Sequence, residues 1–293
     1  MNTKPPAVTA PQTAQSTLEF VARFRLISLC MAALMVTSAA DAQTTSLRVV
    51  SMNLCTDQLA MMLADEGQLI SVSDIATDPN MSPMAQAARA YPINHGQAEE
   101  IFLMRPDLVV AGRYSDPVVL DMLRRLGIAT AQIDIVSNLD QVSDRIREMG
   151  EILNQTARAG ELADAFEADL ARLRAAPTGP RAAFYYPNSY SLGTGTLSHE
   201  IITIAGFRHI AEEMGRSRSG RLDLELLTLA QPDLLIHAEL YSGNSRSEEV
   251  MSHPALAHLG AMRTQSNADW VCGTPVVLRA IQDLRALRAR MEG

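Results

Sequence analysis

Three arginines lie within six residues, and they are the clearest indication of chemistry in the sequence. Residues 216–221 read RSRSGR, so Arg216, Arg218 and Arg221 concentrate three guanidinium groups in a chain of net charge −8. Guanidinium groups form paired, charge-assisted hydrogen bonds with carboxylates and similar anions. The cluster therefore predicts contact with an anionic ligand, although a solvated surface loop has the same composition.

The residues of the common catalytic motifs do not occur at catalytic spacing. No G-x-S-x-G nucleophile elbow is present, GTGT at 193–196 lacks the glycine pattern of a phosphate loop, and His199-Glu200 has no second histidine at helical spacing. Cys55 at a helix start could act as a nucleophile, but the sequence assigns it no base. A binding protein is therefore favoured over an enzyme, and a cleft enzyme that uses Cys55 is the remaining enzymatic alternative.

The histidines do not pair at the spacing of a metal site. A protein that binds bare zinc or manganese needs three or four converging His, Asp or Glu side chains. We therefore expect no metal ligated by the protein and no cofactor. The six histidines are His95, His199, His209, His237, His253 and His258.

Two glutamates occupy equivalent positions in an internal repeat. Residues 99–110 read EEIFLMRPDLVV and residues 225–236 read ELLTLAQPDLLI, at a constant offset of 126 residues. Each copy predicts a glutamate in the first turn of a helix, a Pro-Asp stop and a buried parallel strand. Glu99 and Glu225 would then lie at the same place in two similar lobes, where they serve either a partner or only their own helix termini.

Residues 1–42 have the composition of a signal peptide. Basic residues precede the apolar run 26–40, and Ala40-Asp41-Ala42 matches the small-x-small pattern of a cleavage site. The run is shorter than the roughly 20 residues of a membrane span, which argues against an anchor helix. A lipid anchor on Cys30 is disfavoured because this cysteine opens the run instead of closing it. We expect export to the periplasm and a mature start near residue 43.

The mature part of the chain is globular and acidic. The whole chain is 47% hydrophobic, and without residues 1–42 it has 22 basic and 31 acidic residues, a net charge of −9. This charge argues against a nucleic-acid partner. The remaining length, about 250 residues, is enough for two medium domains.

Short β-branched runs alternate with helical stretches, which predicts parallel sheets with helical crossovers. Residues 138–176 differ, because they contain no proline and have apolar residues at helical spacing. The sequence therefore predicts an α/β fold of two Rossmann-like lobes with mainly parallel sheets, at 43–137 and 177–293. A long α-helix over 138–176 would join them.

Taken together, these features resemble the periplasmic binding proteins of ABC importers for cobalamin and ferric siderophores. The resemblance rests on RVVSMNLCTDQL at 48–59, the two E-x6-PDL units, the helix between the lobes, and DWVCGTP at 269–275. In that family the lobes flex little, and each offers one glutamate to one half of a dimeric permease in the inner membrane. The resemblance gives these docking roles to Glu99 and Glu225 and implies a monomer that is not an enzyme.

The resemblance also implies a ligand between the lobes, where loops at the carboxyl ends of parallel strands converge. For His95 the alternatives are a metal ligand or a hydrogen-bonded loop residue, and for Tyr114 they are a haem ligand or a surface residue. The candidate ligand-binding residues are Asn53, Cys55, Thr56, His95, Tyr114, Tyr186, Asn188, Tyr190, Arg216, Arg218, Arg221, Tyr241, Asp269 and Trp270.

Arginines with tyrosines favour a ferric siderophore as the ligand, because its oxygen donors leave the metal complex anionic. Cobalamin, another corrinoid, or haem are the alternatives within the family. Cobalamin-binding relatives sandwich the corrin ring between several tryptophans, whereas this chain has only Trp270, with Gly112 at the matching strand end. This difference weakens the corrinoid alternative.

Two cysteines remain after processing, and both fall in segments predicted to face the cleft from opposite lobes. Cys55 and Cys272 would form a disulfide in an oxidising compartment if their Cα atoms came within about 4.4–6.8 Å. Free thiols in the cleft wall are the default expectation, because the sequence does not fix that separation.

Overall fold

The computed structural model describes residues 1–4, 46–238 and 246–293. Ser46 to Gly293 form one compact unit, and Met1 to Lys4 have no regular secondary structure. All but the first four residues of the predicted signal peptide lie outside the described residues, and so does Tyr241. Among the helices that are described, none is both long enough and apolar enough to cross a membrane.

The amino-terminal lobe is built on a five-stranded parallel sheet in the order β3-β2-β1-β4-β5. Its strands are β1 (Val49–Ser51), β2 (Leu69–Ser73), β3 (Ile93–Asn94), β4 (Leu108–Gly112) and β5 (Ala129–Ile133). Its helices are α1 (Leu54–Leu63), α2 (Ala85–Ala88), α3 (Ala98–Leu103) and α4 (Pro117–Arg125), with a 3-10 turn at Asp74–Thr77. The strand order reverses between β1 and β4, so a crevice opens at their carboxyl ends.

The carboxyl-terminal lobe repeats this plan with a four-stranded parallel sheet in the order β11-β10-β6-β8. Its strands are β6 (Arg181–Phe184), β8 (Arg208–His209), β10 (Leu234–Ala238) and β11 (Met262–Ser266), and β7 (Tyr190–Ser191) pairs antiparallel with β9 (Gly220–Arg221). Its helices are α7 (Leu197–Ile204), α8 (Ile210–Glu213), α9 (Leu224–Ala230), α10 (Pro254–His258) and α11 (Val277–Glu292), with 3-10 turns at Pro187–Ser189, Glu249–Ser252 and Ala268–Trp270. The prediction of two α/β lobes with mainly parallel sheets is confirmed.

The segment between the lobes contains two helices, α5 (Asp140–Ile152) and α6 (Thr156–Leu173). Between them, Asn154 has a left-handed φ of 58°, which ends α5. Gly150 allows the two helices to pack closely, because a Cβ at this position would lie 2.2 Å from the Cβ of Ala159. The single helix predicted over 138–176 is therefore wrong in its bounds. The apolar residues keep their helical spacing through both helices, so the sequence pattern does not reveal the left-handed residue between them.

Helix α6, of 18 residues, is the long helix that joins the lobes. At its start, the guanidinium of Arg158 donates to the carbonyls of Leu63 and Ala64 at 2.7 and 3.0 Å in the amino-terminal lobe. At its end, the carbonyl of Leu173 accepts a hydrogen bond from Arg285 of α11. The helix is thus tied to one lobe at each end.

The internal repeat has the same backbone structure in both lobes. Helix α3 leads into β4 and α9 leads into β10, and the turn after each helix contains a residue with positive φ, Arg105 at 51° and Gln231 at 46°. In the amino-terminal lobe, Asp107 accepts from the backbone amide of Arg48 at 2.8 Å. In the other lobe, Asp233 accepts from that of Arg181 at 2.7 Å.

The side chains of the same two arginines bind the carboxyl end of the helix in each copy of the repeat. Arg48 donates to the carbonyls of Met104 and Arg105 at 2.9 and 3.1 Å. Arg181 donates to the two corresponding carbonyls at the end of α9. An arginine at the start of each lobe's first strand therefore holds the carboxyl end of the repeat helix.

The core is divided in the same way in both lobes. The largest cluster runs through one face of each sheet and through α5 and α6, and includes Val49, Ile146, Phe166, Phe184 and Ile281. The opposite sheet faces have separate clusters, one containing Ile101 of α3 and the other Leu227 of α9. The two repeat helices therefore cover equivalent outer faces.

Candidate functional site

A cavity of about 150 Å³ lies where the ends of β1, β4 and β5 meet residues 271–273 of the carboxyl-terminal lobe. Four of the predicted ligand-binding residues line it: Asn53, Cys55, Thr56 and Tyr114. The other lining residues are Leu59, Gly112, Arg113, Ile133, Asp134, Ile135, Val136, Arg145, Val271 and Gly273. The cavity is thus formed mainly by the amino-terminal lobe and closed by one segment of the other.

Asn53 shapes the floor of this cavity. Its side-chain oxygen accepts from the backbone amide of Cys55 at 3.1 Å, so Asn53 caps α1. A Cβ at Gly112 would lie 2.9 Å from Cγ of Asn53, which explains the glycine at this strand end. Thr56, predicted as a ligand-binding residue, lies inside the helix and is buried. Its hydroxyl pairs with that of Ser51 at 2.8 Å.

Charged side chains line one wall of the cavity. Arg113 lies 3.2 Å from Asp134, and Arg145 of α5 lies 2.5 Å from Glu148. Within the described part of the chain, Nε of Arg145 is buried without a hydrogen-bond partner. Both arginines also line a second, polar cavity of about 530 Å³ next to the first.

Tyr114 stands at the mouth of the cavity and is 79% exposed. It directly follows Arg113 at the carboxyl end of β4. Apolar side chains face the same space, among them Ile135 and Val271. A phenol, a guanidinium group and an apolar wall therefore converge at this site.

A disulfide joins Cys55 to Cys272, with the two Cα atoms 5.3 Å apart. The default expectation of free thiols is therefore wrong, because the fold brings two segments 217 residues apart into contact. A bonded sulfur has no thiolate, so the enzymatic alternative based on Cys55 loses its nucleophile.

Two further contacts beside the disulfide hold the same segment against the amino-terminal lobe. The hydroxyl of Thr274 donates to Oε1 of Gln58 at 3.0 Å in a buried hydrogen bond. A Cβ at Gly273 would lie 2.3 Å from that of Val136, so only glycine allows this approach. We call residues 272–274 with their partners Cys55, Gln58 and Val136 the lobe seam.

The residues that line the cavity do not include Tyr186, Asn188 or Tyr190 of the carboxyl-terminal lobe. Tyr186 is partly buried against the core, and its hydroxyl lies 3.4 Å from that of Ser266. Burial raises the pKa of Tyr186 to about 12. Asn188 and Tyr190 are exposed beside it at the carboxyl end of β6.

The arginine loop lies at the carboxyl edge of the second sheet. Arg216 donates to the carbonyl of Arg221 at 2.8 Å, and Arg221 lies 3.2 Å from Asp223. Arg218 is exposed and forms no hydrogen bond or ion pair with the residues that the structure describes. None of the three arginines lines the cavity, and Arg218 is the one whose guanidinium group has no partner among the described residues.

Three other predicted ligand-binding residues make contacts away from the cavity. Trp270 is only 9% exposed and packs edge-on against Phe184 at 6.1 Å, so it belongs to the core instead of the cleft wall. Asp269 pairs with Arg279 of α11 at 2.5 Å. His95 lies 3.1 Å from Glu100, which fits the hydrogen-bonded loop residue better than the metal ligand.

Buried titratable groups lie at the carboxyl edges of both sheets. Burial raises the pKa of Asp57, in the first turn of α1, to about 6. In the other lobe, burial lowers the pKa of His209 to about 3, and Nδ1 of His209 is 3.0 Å from that of His199. Among the described residues, no group of three or more His, Cys, Asp or Glu side chains could hold a metal ion.

The two glutamates of the repeat are exposed and separate from the cavity. Glu99 and Glu225 each lie in the first turn of their helix, α3 and α9. Neither forms an ion pair with any described residue. Their carboxylates are thus available at the surface of each lobe.

Residues 49–268 match the model of the family described as periplasmic binding protein. The haem-binding protein RhuT of Roseiflexus sp. RS-1, in its apo form, has a similar structure, with a TM-score of 0.70 and 22% identity over 85% of this chain and 100% of that chain. The haem-binding protein HutB of Vibrio cholerae is also similar, with a TM-score of 0.69 and 19% identity over 83% of this chain and 99% of that chain.

The vitamin B12 binding protein BtuF of Vibrio cholerae is similar as well, with a TM-score of 0.63 and 21% identity over 84% of this chain and 97% of that chain. No curated protein has a sequence that matches this chain. At these identities the structural likeness establishes the fold.

Proposed function

Because the chain belongs to the periplasmic binding protein family, we propose that it is the substrate-binding component of an ABC importer. It captures a metal chelate at the cavity between its lobes, as a monomer, and delivers the chelate to a permease dimer in the inner membrane. The signal peptide predicted for residues 1–42 directs it to the periplasm. The lobe seam supports this function, because it keeps the two lobes together beside the cavity.

The ligand that the geometry supports best is haem. The observation that carries this choice is Tyr114, an exposed phenol at the mouth of the cavity with Arg113 beside it. Tyrosine is a known axial ligand of haem iron, and guanidinium groups pair with carboxylates such as those of haem. Ile135, Val136 and Val271 provide the apolar wall that a flat macrocycle needs. The likeness to haem-binding proteins of known structure supports the same choice.

A ferric siderophore, the ligand favoured by the sequence, is the second candidate. Its support is the exposed Arg218 at the carboxyl edge of the second sheet, which has no partner among the described residues. A corrinoid is less well supported, because Trp270 is committed to the core.

Replacing the phenol tests the haem proposal. Tyr114→Phe should lower the affinity for ferric haem by at least about tenfold and change the absorption spectrum of the complex, because the iron loses an oxygen ligand. Tyr91→Phe is the matched control, since Tyr91 is partly exposed and does not line the cavity. An unchanged spectrum and affinity in Tyr114→Phe would contradict haem ligation at this residue.

A further inference from the structure

Each lobe leaves one leucine exposed at the same position of the repeat. Leu103 at the end of α3 is 78% exposed, and Leu229 near the end of α9 is 80% exposed. Each follows the repeat glutamate by four residues, so glutamate and leucine lie on the same side of a helix. The residue between them that faces inward, Ile101 or Leu227, is fully buried.

The backbone holds both leucines in equivalent places. The turn after each leucine contains a left-handed residue, Arg105 or Gln231, and an arginine from the first strand binds the carbonyls there. Side chains at both helix ends are therefore presented by a fixed turn and not by a frayed terminus. The two surfaces have kept this geometry although their sequences differ.

A single exposed leucine needs no explanation, because large apolar side chains are common on protein surfaces. Here the exposure recurs at one register in both lobes, beside an exposed carboxylate each time. Phe102 and Leu226, which are 45% and 47% exposed, add apolar surface next to them. The duplication points to a partner that is itself built of two equivalent halves.

We propose that Leu103 and Leu229 are the apolar contacts of the docking surface whose charged residues, Glu99 and Glu225, the family resemblance already assigns to a twofold-symmetric permease. Each half of that partner presents an apolar recess beside a basic group. The leucines provide the buried contact, whereas the glutamates set orientation and association rate. A second copy of this chain is a poor occupant, because glutamates would face glutamates. The inference rests on the proposed function and adds apolar contacts to it.

A photo-crosslinking experiment tests the symmetry directly. A benzophenone amino acid is placed at position 103 or 229 of the full chain in cells of the source organism, and at Leu126 or Met262 in controls. The control residues are exposed apolar side chains, one from each lobe, outside the repeat. Positions 103 and 229 should both crosslink to the same membrane polypeptide, with little product from the controls. Two different polypeptides, no product, or equal product from the controls would overturn the proposal.

Uptake by variants separates this inference from the proposed function. In cells that lack the native gene, Leu103→Ser combined with Leu229→Ser should lower haem uptake by at least about tenfold at limiting protein, with haem affinity unchanged. Leu126→Ser combined with Met262→Ser should behave as the wild type. If the wild type restores uptake and the leucine variant equals it, the inference is wrong and the proposed function stands. If the wild type restores no chelate uptake, the proposed function fails and the inference falls with it.

Discussion

Cys55, in the first turn of α1, is joined by a disulfide to Cys272, which lies 217 residues later in the carboxyl-terminal lobe. The bond is in the wall of the cavity, because Cys55 is one of its lining residues. With the hydrogen bond between Gln58 and Thr274, it fixes the two lobes to each other beside the cavity. Relative motion of the lobes is therefore limited to movements that leave this seam intact.

The disulfide should contribute substantially to stability. Replacing both cysteines with serine should lower the free energy of unfolding by about 2–5 kcal/mol, because the bond closes a very long loop in the unfolded chain. Urea unfolding measures the change. The reduced wild-type protein is the control and should unfold at nearly the same urea concentration as the variant. Equal stability of the oxidised wild type and the variant would show that the disulfide of the lobe seam does not stabilise the fold.

The buried carboxyl group of Asp57 should make stability depend on pH. Burial raises its pKa from 3.8 to about 6, so the folded state holds the proton more tightly than the unfolded state. The resulting stabilisation is complete below pH 3.8 and is lost as the pH rises through about 6. The shift of about two pKa units corresponds to about 3 kcal/mol.

Asp57→Asn cannot ionise and should therefore gain about 3 kcal/mol relative to the wild type between about pH 4 and pH 7. Urea unfolding at a series of pH values measures this difference. Asp283→Asn, at an exposed carboxylate, should follow the wild-type profile. Parallel profiles for Asp57→Asn and the wild type would contradict the burial effect.

Two glycines of the linking helices should respond in opposite directions to alanine. Gly150→Ala places a methyl group against Ala159 and should destabilise the protein by about 1–3 kcal/mol. Gly160, in α6, has no atom within 4 Å of an added Cβ. Gly160→Ala should therefore stabilise the protein by about 0.5–1 kcal/mol through helix propensity. Thermal unfolding of both variants measures this, and a shift of the same sign in both would be inconsistent with the packing at Gly150.

The exposed glutamates should act in transport and not in ligand binding. Glu99→Gln with Glu225→Gln should leave the affinity for the chelate unchanged, because neither residue lines the cavity. Uptake at limiting protein should fall several-fold, because charge pairing steers association. Glu161→Gln, at an exposed residue of α6, is the control. Wild-type uptake by the double variant would leave the glutamates with a role only at their helix termini.

Much of the fold could be predicted from sequence because its signals are local. The β-branched run LISVS forms β2 (Leu69–Ser73), and Glu99 lies in the first turn of α3 as the repeat predicts. The repeat was visible because Pro-Asp stops and aliphatic strands recur at one offset. The break at Asn154 was missed, because one left-handed residue does not disturb the apolar period around it.

The site was less accessible to sequence reasoning, because it depends on contacts between distant segments. Arg145 belongs to a helix that was predicted only as a spacer, yet it reaches the cavity wall. Trp270 was predicted to bind the ligand, but a large aromatic side chain suits the core equally well, and Trp270 is buried there. The separation of Cys55 and Cys272 depends on how the lobes pack, which no local pattern encodes.

Equilibrium binding to the purified mature protein tests most directly whether one metal chelate binds between the lobes. Haem, ferric siderophores, cobalamin and cobinamide should be compared under identical conditions, with binding stoichiometry measured by native mass spectrometry. We predict one haem per chain, bound with submicromolar affinity and weakened by Tyr114→Phe. A folded protein that binds none of these chelates would contradict the account.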